Sequence, residues 1–521
     1  MKYYLGIDNG GTSTKAALYT KDGEELCVRQ KETEMLVPSP GGRVGAGFAE
    51  RDMESMWEAN CEIIREVLNT SGVNPADIAG AACCGHGKGL YIWGKDGGPV
   101  RPGILSADSR AWEYPLKWKA DGTAAKVFEL SCQDIMACQP VSLLAWLKDH
   151  EPEIQKRIQW VFECKDYIRF RLTGEARGEI TDYSGANLLN LKTRQYDREL
   201  LRLFGLEEIF DKLPPLCLST EVCGHVSKYA AEKSGLAEGT PVAGGMFDID
   251  ACAIAAGVVS EDKICMIAGT WSINEYIRRE AVTDGSAAMN SIFCIPGYYL
   301  IEESSATSAG NYEWFINTLL PELKEQADAQ GRTIFDICDK EAESIPVDEF
   351  VPIFLPFLMA SNVHPNAKAV FVGMSRYHKR AHIIRSVYEG IAFCHRYHLD
   401  KLTASRPSPA ESIRLAGGAS RSKVWTRMFA DITGYPVEAA EHGEAGTLGC
   451  AMAAAVAAGE YKDLAEAVKR MAAFREAVMP APERSAAYEG RYRIYKRVIE
   501  ALDPLWDDIR KLSAASSTIG K

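Results

Sequence analysis

The sequence predicts an α/β protein made of two duplicated domains that face one cleft. Three observations carry this expectation. The chain has 521 residues, more than one ordinary core holds, so two domains of about 250 residues each are the natural division. A strand–glycine turn–strand device occurs twice, at almost half-length spacing. Around both copies, short apolar strands alternate with helical stretches.

The first copy opens the chain. Tyr3–Asp8 reads as a buried strand, Asn9-Gly10-Gly11 turns it, and Thr12–Tyr19 returns toward a Lys21-Asp22-Gly23 turn. Met53–Leu68 has apolar residues at helical spacing, and Ile78–Cys84 follows as an apolar strand. The second copy runs through Ile264–Ile267, Ala268-Gly269-Thr270 and Trp271–Ile277, placing Thr270 258 residues after Thr12. Further on, Glu411–Ala416 reads as a strand, Gly417-Gly418 as a turn and Ser422–Thr433 as a helix stopped by Gly434; Gly446–Ala458 is a small-residue helix suited to close packing. The expected domains are therefore residues 1–250 and 251–505, with 506–521 as a frayed tail, polar and small-residue-rich from Leu512.

Composition narrows the function classes. Hydrophobic residues make up 46% and charged residues 25%, which fits a globular protein and excludes a disordered one. A net charge of −12 repels phosphate backbones and anionic lipid, so neither nucleic acid nor a membrane is an expected partner. The fifteen cysteines are scattered without a C-x-x-C pair, and read as reduced thiols of a cytoplasmic protein. No signal segment and no apolar run of spanning length is visible.

Phosphate binding needs close-approaching backbone amides and donating hydroxyls, and Gly10, Gly11, Thr12 and Ser13 supply both. Asp8 is placed to hold Mg²⁺ through water, and Lys15 to neutralise phosphate charge. The same residues also fit a plain Asn-Gly hairpin; the second turn at Gly269-Thr270 favours the phosphate reading. No Walker-type P-loop and no protein-kinase motif set occurs. Phosphoryl transfer to a hydroxyl needs a carboxylate that accepts the proton. Pro241–Asp248 runs an apolar strand into Gly244-Gly245 and presents Asp248 at the head of a helix over Ala251–Gly257. From the residues alone a helix N-cap is the slightly better reading of Asp248, and Asp250 competes with it. Lys88, in Gly85–Gly89, and Asp108 and Arg110, in Ser106–Arg110, sit on strand-end loops that could line a polar sugar pocket. An exposed Lys and an Asp–Arg surface pair is the plainer reading, and His86 reads as a structural imidazole.

With these residues assembled, the chain resembles the FGGY family of carbohydrate kinases over about residues 3–500. Ala369–Glu389 carries the family's C-terminal signature: the Gly373-Met374 step, seven residues, then His382, Ile383, Ser386, Val387, Tyr388 and Glu389. Pro140–His150 carries the N-terminal one with Trp146 in place, departing at Leu143, where the family usually has lysine. The resemblance implies an actin/hexokinase-like (ribonuclease H-like) fold that uses ATP and Mg²⁺ and binds the nucleotide mainly through the second domain. It implies Asp248 as the catalytic base, also associated with metal and substrate, and Asp8 as the metal-associated aspartate. Thr12 and Lys15 fall on phosphate-binding positions, Gly269 and Thr270 on the second phosphate loop, and Gly417, Gly418 and Ser422 on the adenosine loop; Gly310 is expected among the nucleotide-binding residues.

Within the family, Ala49–Met53, Gly87–Leu90, Ile104–Ser106, Pro140–Leu147, Gly245–Asp248 and Thr307–Asn311 look most like members that act on L-xylulose. The resemblance therefore implies phosphorylation of a ketopentose, L-xylulose to L-xylulose 5-phosphate. Members acting on D-xylulose usually carry Met-His where this chain has Gly87-Lys88, so another ketose, a polyol such as erythritol, or a keto-sugar acid such as 3-keto-gulonate is the alternative. A sensor without catalysis on the same fold is the reading from another class; the pair Asp8 and Asp248 and the lack of a basic helix-turn-helix segment speak against it. A homodimer is left open.

Overall fold

The computed structural model describes residues 1–36, 47–441 and 444–519, with side chains through Leu512. Its residues gather into two compact units. The first comprises Met1–Val259, Ile277–Ile301 and Glu444–Ala472; the second comprises Ser260–Tyr276, Glu302–Gly443 and Ala473–Lys521. The first unit thus takes in two segments from beyond residue 259. The physical reason lies in the helix Ala445–Ala457, whose small residues let it lie against first-unit backbone: a Cβ on Gly6 would collide with the Thr447 carbonyl, and one on Gly449 would meet Ala251.

In the first unit, β1 (Tyr3–Asn9) and β2 (Ser13–Thr20) form the expected hairpin, with Asp8 opposite Lys15, and β3 (Glu25–Glu32) extends it. Helix α1 (Met53–Ser71) begins where the Asp52 side chain accepts from the Ser55 amide at 2.7 Å and ends at Gly72 in the left-handed region, φ 65°. Its apolar face, Trp57, Ile63, Ile64 and Val67, joins Leu5, Ile7 and Leu18 in one core. β4 (Ile78–Gly85) runs parallel to β1, with Asp8 beside Cys84 and Asn9 beside Gly85. β5 (Ile158–Phe162) is followed directly by α2 (Cys164–Thr173). β6 (Val222–His225) and β7 (Pro241–Ala243) complete the sheet in the order β6-β7-β4-β1-β2-β3. A further short strand, β8 (Met246–Phe247), pairs in parallel with the end of β4, and α3 (Asp248–Ala255) starts at once. The carboxyl ends of β1, β4 and β8 therefore lie side by side, the position at which open α/β sheets present their ligands.

The second unit repeats the plan. β9 (Lys263–Ala268) and β10 (Ser272–Arg278) form a hairpin around Gly269–Trp271. β11 (Ser412–Ala416) runs parallel to β9, and β12 (Val437–Ala439) parallel to β11. The helix Lys423–Thr433 follows the Gly417 turn, as the spacing predicts. The segment 506–521, expected as a frayed tail, is helical over Trp506–Ile519, and the buried Trp506 anchors its start. Among the described residues no helix is long and apolar enough to cross a membrane. All fifteen cysteines are free thiols.

Candidate active site

Asp8 ends β1, and the turn after it is held from behind. The buried Arg51 guanidinium donates to the carbonyls of Gly10, at 3.2 Å, and Gly11. In a trans peptide the N–H points opposite its C=O, so this grip turns the amides of Gly11 and Thr12 away from Arg51. Gly11 and Thr12 are exposed, and a Cβ on Gly11 would touch nothing, so packing does not explain that glycine. Ser13 begins β2 half-buried. The Lys15 ammonium lies 2.6 Å from Glu444 Oε2; burial works against its charge, but Glu444 and Asp8 outweigh it and raise its pKa. Burial also raises the Asp8 carboxyl, against the pull of Lys15. The helix Ala445–Ala457 closes on this carboxylate so tightly that a Cβ on Gly446 would stand 2.6 Å from Asp8 Oδ2.

Asp248 reaches the same sheet end through a turn that only glycine permits. Gly245 has φ 75°, and a Cβ there would collide with the Cys83 carbonyl. Asp248 is the first residue of α3 and does not cap it; the cap position is Phe247. Asp248 Oδ1 is buried without a hydrogen-bond partner. Burial raises its carboxyl pKa well above the usual range, the charges of Asp8 and Asp182 raise it further, and Lys88 lowers it. Asp250, two residues on, points about 200° round the helix; it is fully buried and its Oδ1 accepts from the Cys294 amide at 2.9 Å. The structure thus separates the two competing carboxylates.

The Gly85–Gly89 loop packs on Phe247, and a Cβ on Gly87 would strike that ring. Lys88 takes φ 65°, a conformation uncommon for a side-chain-bearing residue, and sets its ammonium 5.8 Å from the Phe247 ring centroid. His86 is structural, as expected: its amide donates to Asn9 O at 2.9 Å, its Nε2 lies 2.8 Å from Tyr91 OH, and burial, with Arg51 adding to it, lowers its pKa to about 3.

Asp108 and Arg110 are not a surface pair. Both are buried, Arg110 Nη2 lies 2.8 Å from Asp108 Oδ2 and 2.6 Å from Glu50 Oε1, and its guanidinium stacks 4.2 Å over Phe48. Asp108 Oδ2 also accepts from the Ala49 amide at 2.7 Å, so both its oxygens are engaged, whereas Arg110 Nη1 is buried without a partner. Burial raises the Cys138 thiol pKa, and the charges of Lys88, Asp108 and Glu163 act on it as well.

Sequence reasoning missed a buried charge cluster next to Asp248. Lys165 Nζ lies 2.9 Å from Asp166, 3.0 Å from Asp182 and 3.4 Å from Glu179, and all four side chains are at most 1% exposed. Arg169 pairs with Asp166 at 2.6 Å and donates to the Gly244 carbonyl; Thr181 Oγ1 donates to Glu179 and accepts from the Phe247 amide at 2.9 Å. The cluster thus grips the Gly244–Phe247 turn at both ends. The available signal was a run of charges, Glu163-Cys164-Lys165-Asp166, directly after the apolar strand Ile158–Phe162.

In the second unit, Gly417 has φ 84°, and a Cβ on it would come within 2.7 Å of Ala268 O; one on Gly310 would come within 3.0 Å of Thr270 Cγ2. Gly269, Thr270, Gly310 and Gly417 therefore meet, with Gly418 open beside them. Ser422 caps the helix Lys423–Thr433 at the Trp425 amide and donates to Asp339 at 2.8 Å.

Residues 3–255 match the N-terminal domain of the FGGY family of carbohydrate kinases, and residues 264–458 match its C-terminal domain. The chain belongs to the FGGY family. It is an ATP-dependent sugar kinase by that membership. It is 35% identical over 504 residues to a probable L-xylulose kinase from Pasteurella multocida, covering 96% of this chain and 99% of the relative. It is 36% identical over 504 residues to the L-xylulose/3-keto-L-gulonate kinase of Escherichia coli, covering 96% and 97%. A ligand-bound xylulose kinase from Lactobacillus acidophilus superposes with a TM-score of 0.85 at 25% identity, covering 98% of this chain and all of the other. The fold is the actin/hexokinase-like one of such kinases.

In this FGGY kinase both signatures work as scaffold. Ser386 donates to Pro352 O, Tyr388 to Asp339 at 2.8 Å, and Glu389 accepts from Arg385 and Arg491. Trp146 carries the Arg110 guanidinium at 5.2 Å. Leu143 is fully buried in an apolar cluster, where leucine fits without a partner and a lysine would need one.

Proposed function

We propose that the chain transfers the γ-phosphoryl group of ATP to the primary hydroxyl of a ketopentose, with L-xylulose as the preferred acceptor. The observation that carries the reading is Asp248 Oδ1, buried and unpartnered, within the field of Asp8 at the ends of β8 and β1. The sugar oxygen attacks phosphorus as the bond to ADP breaks, and Asp248 takes the hydroxyl proton. Its raised proton affinity suits that task. The flanking Asp8 and Asp248 carboxylates fit a Mg²⁺ that keeps water and phosphate oxygens as most of its ligands; among the described residues no group of three or more metal-ligating side chains competes with this arrangement. Bound there, the ion would offset charge on the phosphates.

Gly10, Gly11, Thr12, Ser13 and Lys15 are assigned to the first phosphate turn, and Gly269, Thr270, Gly310, Gly417, Gly418 and Ser422 to the nucleotide. Lys15 would exchange its Glu444 partner for phosphate. Lys88, Asp108 and Arg110 are assigned to the sugar, Lys88 directly and the other two through the open Arg110 Nη1. The preference for L-xylulose is supported by the two relatives above, both of which are named for it. The test is product analysis: NMR should find the new phosphate ester on the primary carbon of L-xylulose, and a phosphate elsewhere, or none, refutes the reading.

Lys88→Met removes the donor set that faces the Asp248 loop. It is expected to reorder kcat/KM across a panel of ketoses, polyols and keto-sugar acids, with roughly a tenfold loss or more for L-xylulose. An unchanged ranking removes Lys88 from the pocket.

A further inference from the structure

Glu163 is an acidic residue with no structural task. It stands between β5 and α2, 1% exposed, and both its carboxylate oxygens are buried without a hydrogen-bond partner. It occupies the cap position of α2, yet its side chain caps no amide. Burying a carboxyl group unsatisfied is costly, and neighbours in the same cluster show how the chain avoids that cost. Asp166 is bonded by Lys165, Arg169 and the Glu179 amide; Glu179 is bonded by Thr181 and Ser219. Glu163 alone among these has neither hydrogen bond nor ion pair.

Its position is that of the reaction centre. A Cβ on Gly85, at the end of β4, would meet Cys164 Sγ and Lys165 N at 3.3 Å and Asn9 O at 3.2 Å, so the Glu163–Lys165 stretch lies across the carboxyl ends of β1 and β4. Glu163 is subject to the charges of Lys88 and Asp182, which also act on Asp248. An unsatisfied buried polar group in a native structure calls for an explanation, and beside a perturbed carboxylate such as Asp248 a ligand is the one with a physical rationale.

We propose that Glu163 is a sugar ligand that hydrogen-bonds substrate hydroxyls beside Lys88 and, with Asp182 and Asp248, biases the site toward a neutral polyhydroxy ketose over a sugar acid. The inference rests on the sugar-kinase reading and deepens it. Lys88 alone would welcome a substrate carboxylate. Glu163 and Asp248 both lie in the field of that ammonium and oppose a further anion, with the Asp182 charge acting on both, whereas hydroxyl groups satisfy the open oxygens.

The test compares Glu163→Leu and Glu163→Gln with the wild type for L-xylulose, a keto-sugar acid and ATP. Loss of uniform binding raises KM with kcat largely kept. Glu163→Leu should raise the KM for L-xylulose about 10- to 100-fold, the scale of a lost hydrogen bond to a charged group, and leave the KM for ATP unchanged. Glu163→Gln, which keeps one acceptor and adds a donor, should show a smaller rise. In both variants the kcat/KM ratio of keto-sugar acid to L-xylulose should increase. Melting temperatures should hold or rise, because an unsatisfied buried carboxylate is removed. If Glu163→Leu fails to fold, Glu163→Gln decides alone. A wild-type KM and substrate ratio in a folded variant, or a lower melting temperature with KM intact, overturns the proposal and leaves the kinase reading standing. A wild type that phosphorylates no sugar overturns both.

Discussion

Asp248→Asn is expected to lower kcat by about 10³- to 10⁴-fold with little change in nucleotide binding. The amide has nearly the shape of the carboxylate, so the Gly244–Phe247 turn and α3 should form unchanged, and no cap is lost because Asp248 caps nothing. What disappears is the acceptor for the hydroxyl proton, a group needed as the P–O bond forms and not when substrates bind. Single-turnover kinetics with ATP and L-xylulose, together with nucleotide titration by calorimetry, separate the two. Turnover within tenfold of the wild type would show that Asp248 is not the base.

Lys165→Met is expected to destabilise the first unit by about 3–5 kcal/mol, the usual cost of removing one partner from a buried ionic cluster. Methionine approximates the volume of the lysine stem, so the effect is electrostatic: Asp166, Asp182 and Glu179 lose the one ammonium they share. Protonation can relieve Asp182, whose pKa is already raised to about 7, chiefly by burial. It does so at the expense of the network that holds the Phe247 amide and, through Arg169, the Gly244 carbonyl. Activity should therefore fall along with the unfolding midpoint. Thermal and urea unfolding followed by intrinsic fluorescence read the first effect, and an unaltered midpoint would mean that the cluster is neutral to stability.

The parts of the fold that were legible in the sequence were those fixed by local chemistry. Both hairpins fall within a residue or two of their expected bounds, because buried apolar strands broken by Asn-Gly-Gly or Ala-Gly-Thr leave one way to turn. The repeated plan followed from the spacing of those turns. The discontinuous first unit was not legible: the small residues of Ala445–Ala457 announce close packing, but only the folded chain shows that Gly6, Asp8 and Ala251 receive them. In the candidate site, Asp8 and Asp248 could both be named, but Asp248 could not be told apart from a cap or from Asp250, since that depends on which residue begins α3. Asp108 and Arg110 read as surface charges because sequence shows charge and not burial. Glu163, Lys165 and Asp166 were passed over for the same reason, since mutual neutralisation in an interior leaves no periodic trace.

The most direct measurement is ADP release by the purified protein, with Mg²⁺ and ATP, against a panel of ketoses, polyols and keto-sugar acids. Sugar-stimulated turnover is expected, with the highest kcat/KM for L-xylulose and a lower value for the keto-sugar acid. ATP consumption that no sugar stimulates would contradict it.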